Sequence, residues 1–449
     1  MDWGTGTRLS TTSAAAGVLA AALMARRALE WRQICRSRSW DQPAPPPPPE
    51  PGAGAEPRVV CIVPLYLEQD LVAETVRFWH ELAQQNLVDQ VLLVTTAKER
   101  SERETTTRDL VDAELRRRGT GGDRITLLHC EQVTRYRAAQ LNLAVEWARA
   151  RFLREGSQET AMIWIGVYNA DSRPEKSTFT ELRGRIAAEP STRIFQQLVD
   201  YVVPERGRPD PVAIGNALLQ TWWTLSHYVG RNRRGYPGTT VWSRTSPYST
   251  FGHGEFVRLD FLDDIGGFPD FAYADGLLLG WIGRLMVEPI GLLASRDVAE
   301  VPRSAADLIT QQTAWMRGLL NFPTTVDWCR RQGLLRLPKH EVWLLRAQHL
   351  AIPLSWGLST AAVMAALAAL ARQIGRGQTS AYDLAILAGL AAYPAIPALA
   401  PVADPHREIS RGRRVLGAVR SWPLEGLAFW PALGSHLQRS QRAPAKTPR

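Results

Sequence analysis

Between Arg58 and about Gly333 the sequence alternates short apolar runs with segments of helical spacing. Val59–Leu65 is mostly apolar and rich in β-branched residues, the pattern of a strand buried on both faces. Leu71–Gln84 has helical spacing, Gln90–Thr96 reads as a second strand, and Thr107–Arg118 as a polar helix. Ile125–Cys130, Ala138–Leu153 and Ala161–Tyr168 continue the series as strand, amphipathic helix and strand. Such alternation predicts an α/β domain with a mostly parallel sheet, and no internal repeat interrupts it. At 449 residues, 45% apolar and 22% charged, the chain has room for one large globular domain and additional segments.

Those additional segments are apolar and basic. Leu9–Ala25 carries no charge and is followed by Arg26, Arg27, Arg32, Arg36 and Arg38. A cleavable signal peptide has its charge before the apolar run, so residues 1–40 read as a signal anchor with the following chain inside. The plain alternative is an Ala-rich leader. Residues 41–57, with Pro45–Pro49, form a semi-rigid linker, and the α/β domain spans 58–333. Ala347–Ala371 and Leu384–Ala403 are two uncharged windows of membrane-spanning length. Arginines crowd both outer flanks, so the positive-inside rule predicts a hairpin with Arg376 outside and the α/β domain cytoplasmic. Ser421–Leu437, with Trp422, Phe429 and Trp430, suits an interfacial segment that closes the 334–437 region. A basic tail, 438–449, follows. These expectations describe a multi-pass protein of the cell membrane. The formal charge of +9 (53 Lys+Arg against 44 Asp+Glu) is then explained by juxtamembrane residues facing anionic membrane lipids. No nucleic-acid motif is present. Four cysteines without CxxC spacing argue against a structural zinc, a redox motif or a disulfide framework.

Several short motifs carry chemistry. The first strand ends in Pro64-Leu65-Tyr66-Leu67-Glu68, at the end of a parallel strand where open α/β sheets bind ligands. No Gly-rich phosphate loop follows, which argues against dinucleotide-binding and P-loop enzymes. The fourth strand runs into Asn169-Ala170-Asp171, whose oxygens, two residues apart, suit one hard cation or, more plainly, an Asx turn before Pro174. Phe251-Gly252-His253-Gly254-Glu255 offers turns and close backbone approach. Asp275 precedes an apolar run, as a helix cap or as a functional acid. Gln311 and Trp315 share a helix face, which suits a sugar ring or a core or interfacial tryptophan.

In this order the motifs resemble those of the family 2 glycosyltransferases of GT-A fold, and most of all their membrane-bound, polysaccharide-synthase-like members. The resemblance covers roughly Arg58 to Phe322 and the helices beyond. Pro64, Tyr66 and Glu68 match a P-x-Y-N-E element, with Leu67 in place of its Asn. Arg137, Leu141 and Asn142 match a K-x-x-A-L-N segment, with Arg137 for Lys and Gln140 for Ala. Asp171 matches the second acid of D-x-D, where Asn169 replaces the first. Asp275 matches the acid of an E-D pair, with Ala274 replacing Glu. Gln311 and Trp315 match a Q-x-x-R-W helix, with Ala314 replacing Arg and Arg317 one turn beyond.

The resemblance implies a nucleotide-sugar donor held by Pro64, Tyr66, Glu68, Arg137, Asn142 and Asp171. It implies a divalent cation (Mg or Mn) at Asp171 and Asn169, with the amide contributing no charge. Asp275 is implied as catalytic base, and Gln311, Trp315 and Arg317 as the acceptor side. The expected reaction is inverting, hexosyltransferase-type transfer to a glycan, lipid-linked or other hydroxyl acceptor in polysaccharide biosynthesis. Two alternatives stand beside it: a catalytically degenerate scaffold of a membrane glycan assembly, and a polyprenyl-phosphate glycosyltransferase.

Overall fold

The computed structural model describes residues 11–38, 56–101, 105–119, 124–134, 136–154, 159–204, 210–235, 240–377, 380–399 and 408–438. The start of the leader, nearly all of the Pro-rich linker and nearly all of the basic tail lie outside these described residues. The strands and helices expected between Val59 and Tyr168 form within one to two residues of their expected ends. β1 (Arg58–Pro64), β2 (Gln90–Thr96), β3 (Ile125–Cys130) and β4 (Ile163–Val167) are joined in a seven-stranded sheet by β5 (Ile194–Val202), β6 (Glu255–Arg258) and β7 (Ile290–Glu300). The spatial order is β3-β2-β1-β4-β6-β5-β7. β6 runs antiparallel to both β4 and β5, and the remaining neighbours are parallel.

Alternation within the strands builds two core faces. Val60, Ile62, Leu92, Val94, Ile163 and Ile165 face one side, under a helix of Ala138–Arg154 and one of Asp275–Leu285. Val59, Cys61, Val63, Val91, Leu93 and Trp164 face the other, under Val72–Gln84. Gly166 fits where it does because a Cβ there would meet the Phe256 ring at 2.8 Å. In chain order the helices are α1 (Thr11–Arg38), α2 (Val72–Gln84), α3 (Thr107–Arg117), α4 (Ala138–Arg154), α5 (Ser177–Ala188), α6 (Pro211–Trp223), α7 (Gly230–Gly235) and α8 (Val241–Arg244). They continue as α9 (Leu259–Ile265), α10 (Asp275–Leu285), α11 (Ala305–Leu320), α12 (Phe322–Arg331), α13 (Lys339–Gly375), α14 (Ala381–Leu399), α15 (Arg411–Leu427) and α16 (Phe429–Leu437). Start signals are visible where the sequence supplies them: Asp210 caps α6 with Pro211 behind it, and Thr106 and Asp109 form a capping box on α3. A π-helical turn, Thr224–Val229, joins α6 to α7.

A helical layer covers the far side of α6. Ala16, Ala20 and Leu23 of α1 pack with Val363, Leu370, Ile386 and Leu390 of α13 and α14. The α1 helix therefore extends well beyond the expected apolar window and packs against the expected hairpin. α13 and α14 are long and apolar enough to cross a membrane, by length and composition. Leu350, Leu358 and Met364 of α13, Leu384 and Leu399 of α14, and Val18 and Leu29 of α1 all stay exposed. Ser421–Leu437, expected as an interfacial segment, is partly buried against the other helices. Ser421, Glu425 and Phe429 are buried, while Trp430 and Leu437 remain outside. Glycines explain this depth. A Cβ on Gly215 of α6 would lie 2.0 Å from the Gly417 carbonyl of α15, and one on Gly426 would lie 1.9 Å from the Thr360 hydroxyl of α13.

Gly215→Leu should separate α6 from α15. Overpacking of this kind costs about 1–3 kcal/mol or more, read as a lowered midpoint in thermal unfolding. An unchanged midpoint would show that the two backbones do not meet there.

Candidate active site

The strand ends, not the strand bodies, carry the motif residues. β1 and β4 are adjacent and parallel, with Cys61 opposite Gly166, so the segments after them emerge side by side. On the other side of β1 lies β2, and on the other side of β4 lies the antiparallel β6. The first loop, Leu65–Gln69, is held by a buried acid that the sequence analysis did not single out. Glu99 accepts from the Leu67 N–H (2.8 Å), the Gln69 amide (2.9 Å) and the Thr107 hydroxyl (2.7 Å). Leu67 has φ of +55°. A left-handed conformation costs a branched side chain about 1–2 kcal/mol, and the bond from the Leu67 N–H to Glu99 holds it in place. Pro64 is buried as the last residue of β1, and the Lys98 ammonium lies 4.5 Å from the Tyr66 ring. The Glu68 N–H donates to the Thr107 hydroxyl at 3.1 Å.

Arg137, just before α4, gathers three distant segments. Its Nη2 and Nε donate to Asp275 Oδ2 at 2.8 and 3.1 Å, its Nη1 to Asn169 Oδ1 at 3.0 Å, and its Nη2 also to the Gly252 carbonyl at 2.7 Å. Asp275 is the first residue of α10, and the position before it, Ala274, supplies no side-chain cap. The carboxylate therefore meets Arg137 across the cleft. Ala274 is left-handed (φ +66°), and a Cβ on Gly318 of α11 would lie 2.9 Å from the Ala274 Cβ. The small residue where an acid is expected thus lets α11 approach. Gly252 and Gly276 meet backbone to backbone: a Cβ on Gly276 would stand 2.1 Å from the Gly252 nitrogen.

The other expected residues are placed as follows. Asp171 is buried, and its Oδ2 accepts from the Glu300 N–H at 3.0 Å. Ser172 donates to Asp297 (2.8 Å), which also pairs with His253 Nδ1 at 3.0 Å, so the 169–173 turn is fastened to β7. Asn142 spends both ends of its amide on Phe268, donating to its carbonyl at 3.0 Å and accepting from its N–H at 2.7 Å. It is a clamp on the Gly266-Gly267-Phe268 turn. Gln311 accepts from Gln220 of α6 at 3.2 Å. Trp315 is 38% exposed, which leaves part of its ring for a ligand. The Arg317 guanidinium lies 4.9 Å from the Tyr273 ring, two residues from Asp275. Arg137, Asn169 and Asp275 are thus in direct contact, with Arg317 at the edge of the same loop. Asp171 and Asn142 are turned into the fold.

Two further groups shape the cleft. Gln196 of β5 accepts from the Phe251 N–H (2.9 Å) and donates to the His253 and Gly254 carbonyls (2.9 and 3.1 Å), setting the path of that loop. Glu255, inside the quoted glycine motif, is fully buried, and burial followed by the nearby Asp275 charge pushes its carboxyl up to about 7. Nothing in the linear sequence marks either role, because burial creates both.

Among the described residues no group of three or more His, Cys, Asp or Glu side chains could hold a metal. One carboxylate and one amide at Asp171 and Asn169 therefore fit a cation only if substrate phosphates and water supply its other oxygens. The Asn169 oxygen is now occupied by Arg137.

Glu255 gives a pH signature. Its folded value, about 7, lies above the ordinary 4.5. Between those values the folded protein holds a proton that the unfolded chain has released. Its contribution is complete at low pH and is lost as pH rises, by at most about 1.4 kcal/mol per unit. Glu255→Gln should flatten the thermal midpoint across this window, and an unchanged slope would place the titration elsewhere.

Neither a protein-family model nor a curated protein matches the chain. Solved structures do. The mannosyltransferase PcManGT from Pyrobaculum calidifontis, in complex with GDP-Man and Mn2+, matches with a TM-score of 0.55 at 19% identity, over 95% of this chain and 100% of its own. Mannosyl-3-phosphoglycerate synthase from Rubrobacter xylanophilus matches 63% of this chain and 78% of its own at 12% identity, and its TM-score of 0.32 carries no argument. The first match extends past the sheet into the helical layer, and it shows that this chain has a glycosyltransferase fold.

Proposed function

We propose that the chain is a membrane-anchored, inverting glycosyltransferase that moves a sugar from a nucleotide-sugar donor to a hydroxyl acceptor. The observation that carries this reading is the contact of Arg137 with both Asp275 and Asn169 at the strand ends of a glycosyltransferase fold. The donor lies against the Pro64–Glu68 loop and Arg137. The acceptor hydroxyl oxygen attacks the anomeric carbon as the bond to the diphosphate breaks, and the diphosphate leaves with the electron pair. Asp275 takes the hydroxyl proton, the role of a positioned general base. The Arg137 guanidinium supplies fixed positive charge where the leaving group gains negative charge. The exposed face of Trp315 orients the acceptor by stacking, with Gln311 behind it. The mannosyltransferase PcManGT is seen in complex with Mn2+. A divalent cation arriving with the donor would neutralise its diphosphate, with Asn169 as a protein oxygen once Arg137 turns to the diphosphate, and Asp171 as a second one only where its bond to the Glu300 N–H gives way.

The exposed apolar faces of α13, α14 and α1 support anchoring. In this reading α13 and α14 form the hairpin and the α/β domain is cytoplasmic.

Detergent-solubilised protein offered a panel of nucleotide sugars should release nucleotide from at least one. Asp275→Asn should keep nucleotide binding and lose about 10²–10⁴-fold in turnover, while full activity in that variant would end the assignment. Arg137→Met should weaken donor binding and turnover together. Asp171→Ala should weaken donor binding in a way that added Mn2+ partly restores, whereas an unchanged metal dependence would remove Asp171 from donor handling.

A further inference from the structure

Six residues close a ring of contacts around one side of the cleft. Arg137 Nη1 donates to Asn169 Oδ1 at 3.0 Å, and the Asn169 N–H donates to the Ser172 hydroxyl at 3.2 Å. That hydroxyl donates to Asp297 Oδ2 at 2.8 Å, and the same oxygen lies 3.0 Å from His253 Nδ1. One residue before His253, the Gly252 carbonyl accepts from Arg137 Nη2 at 2.7 Å, which completes the ring.

The backbone around His253 is fixed as well. Gly252 and Gly254 on either side are left-handed, with φ of +85° and +61°, a conformation that glycine adopts without strain. The Gly254 N–H donates to the Val167 carbonyl at 2.8 Å, so the turn lies across the end of β4, two residues before Asn169. Gln196 donates to the His253 carbonyl at 2.9 Å. The histidine therefore stands between the Arg137–Gly252 contact and the end of β4, beside the proposed place of the donor diphosphate.

Only one edge of its ring is used by the fold. Asp297 is wholly buried and its Oδ2 accepts, so the ring hydrogen sits on Nδ1. A carboxylate on one ring nitrogen selects the tautomer, and in the neutral ring the other nitrogen is then an acceptor. That nitrogen, Nε2, is bonded to none of the described residues and is not sealed from solvent.

An open acceptor nitrogen is selective about its partner. The oxygens of an ionised diphosphate carry no hydrogen, so they fall to the Arg137 donors and not to Nε2. A hydroxyl has a hydrogen to give. In a nucleotide sugar the group next to the diphosphate is the sugar ring, which is edged with hydroxyls.

We propose that His253 Nε2 accepts a hydrogen bond from a hydroxyl of the transferred sugar, with Asp297 as the positioning residue that keeps this nitrogen an acceptor. The inference rests on the glycosyltransferase reading and adds to it a determinant of which sugar is taken. A sugar whose hydroxyl meets Nε2 is held, and one without it leaves the nitrogen unpaired.

The test is calorimetric titration of the full chain in a neutral detergent with GDP-mannose, UDP-glucose and UDP-N-acetylglucosamine, each beside its own nucleoside diphosphate, GDP or UDP. His253→Phe keeps a ring of similar size and removes Nε2. It should weaken the best-bound nucleotide sugar about tenfold, the scale of one lost hydrogen bond in a buried site, and leave the matching nucleoside diphosphate within about twofold. Asp297→Asn reverses the tautomer without emptying the site. Asp297 Oδ1 has no partner, so the amide nitrogen should turn to Ser172 and to His253 Nδ1, and Nε2 then carries the hydrogen. This variant should show the same selective loss. His253→Gln, whose amide oxygen is an acceptor, should keep more nucleotide-sugar affinity than His253→Phe. A purely structural role for the dyad would weaken both ligands together and in step with the thermal midpoint. Equal losses for nucleotide sugar and nucleoside diphosphate, or unchanged nucleotide-sugar affinity in a folded Asp297→Asn variant, would overturn the inference and leave the glycosyltransferase reading standing. Wild-type protein that bound none of these nucleotides would overturn both.

Discussion

One guanidinium holds the cleft together. Arg137 reaches the segment after β4 through Asn169, the glycine loop through the Gly252 carbonyl and the start of α10 through Asp275. These segments are distant in sequence; the β4–β6 ladder brings the first two side by side, with the Gly254 N–H on the Val167 carbonyl at 2.8 Å, and Arg137 ties both to α10. A planar fork with five donors can satisfy several acceptors at once, which an ammonium in the same place cannot do with the same geometry. The surrounding residues are shaped to let it in. Gly252 lacks a side chain that would crowd Arg137 Nη2, and Gly276 lacks one that would push Gly252 away.

The helix α6 carries polar side chains on two faces. Gln220 faces α11, while Trp222 and Trp223 line a small cavity shared with Glu30 of α1. A polar helix face in the middle of an apolar layer is costly unless its groups find partners. Several do so within the fold, as with Gln220 on Asn216 at 2.7 Å and Trp222 on Glu30. Others do not, among them Thr221 and the Trp223 indole of α6, and comparable atoms occur on α13, α14 and α15.

The first half of the sheet was legible because β1, β2 and β4 are buried on both faces and carry continuous apolar runs, such as Val91–Val94 in β2. The second half was not. β5 carries Gln196, Gln197 and Asp200, polar side chains that work inside the protein, and β6 has only four residues. A register shift at Gln197 further breaks the pairing of β5 with β7. In the site, Arg137, Asn169 and Asp275 were found by the order of short motifs, since spacing alone left a turn and a cap as alternatives. Asn142 belonged to the same motif pattern, yet it closes a turn, because Gly267 and Phe268 bring their backbone to its amide. Glu99, Gln196, Glu255 and Asp297 could not be singled out, since ordinary polar residues acquire these roles only when the fold buries them.

The contact of Gly215 with Gly417 also has a bearing on how the chain acquires its structure. The face of α6 that holds Gly215 has its partner about 200 residues further along, in α15. Pairings of such long sequence separation form late, because the entropy of closing the loop must be met first. During synthesis the sheet can assemble from the N-terminal side, while α6 waits for the end of the chain with its apolar residues unsheltered. Premature release, or truncation before α15, would leave a folded sheet beside an open helical layer, a species prone to aggregate or to be captured by chaperones.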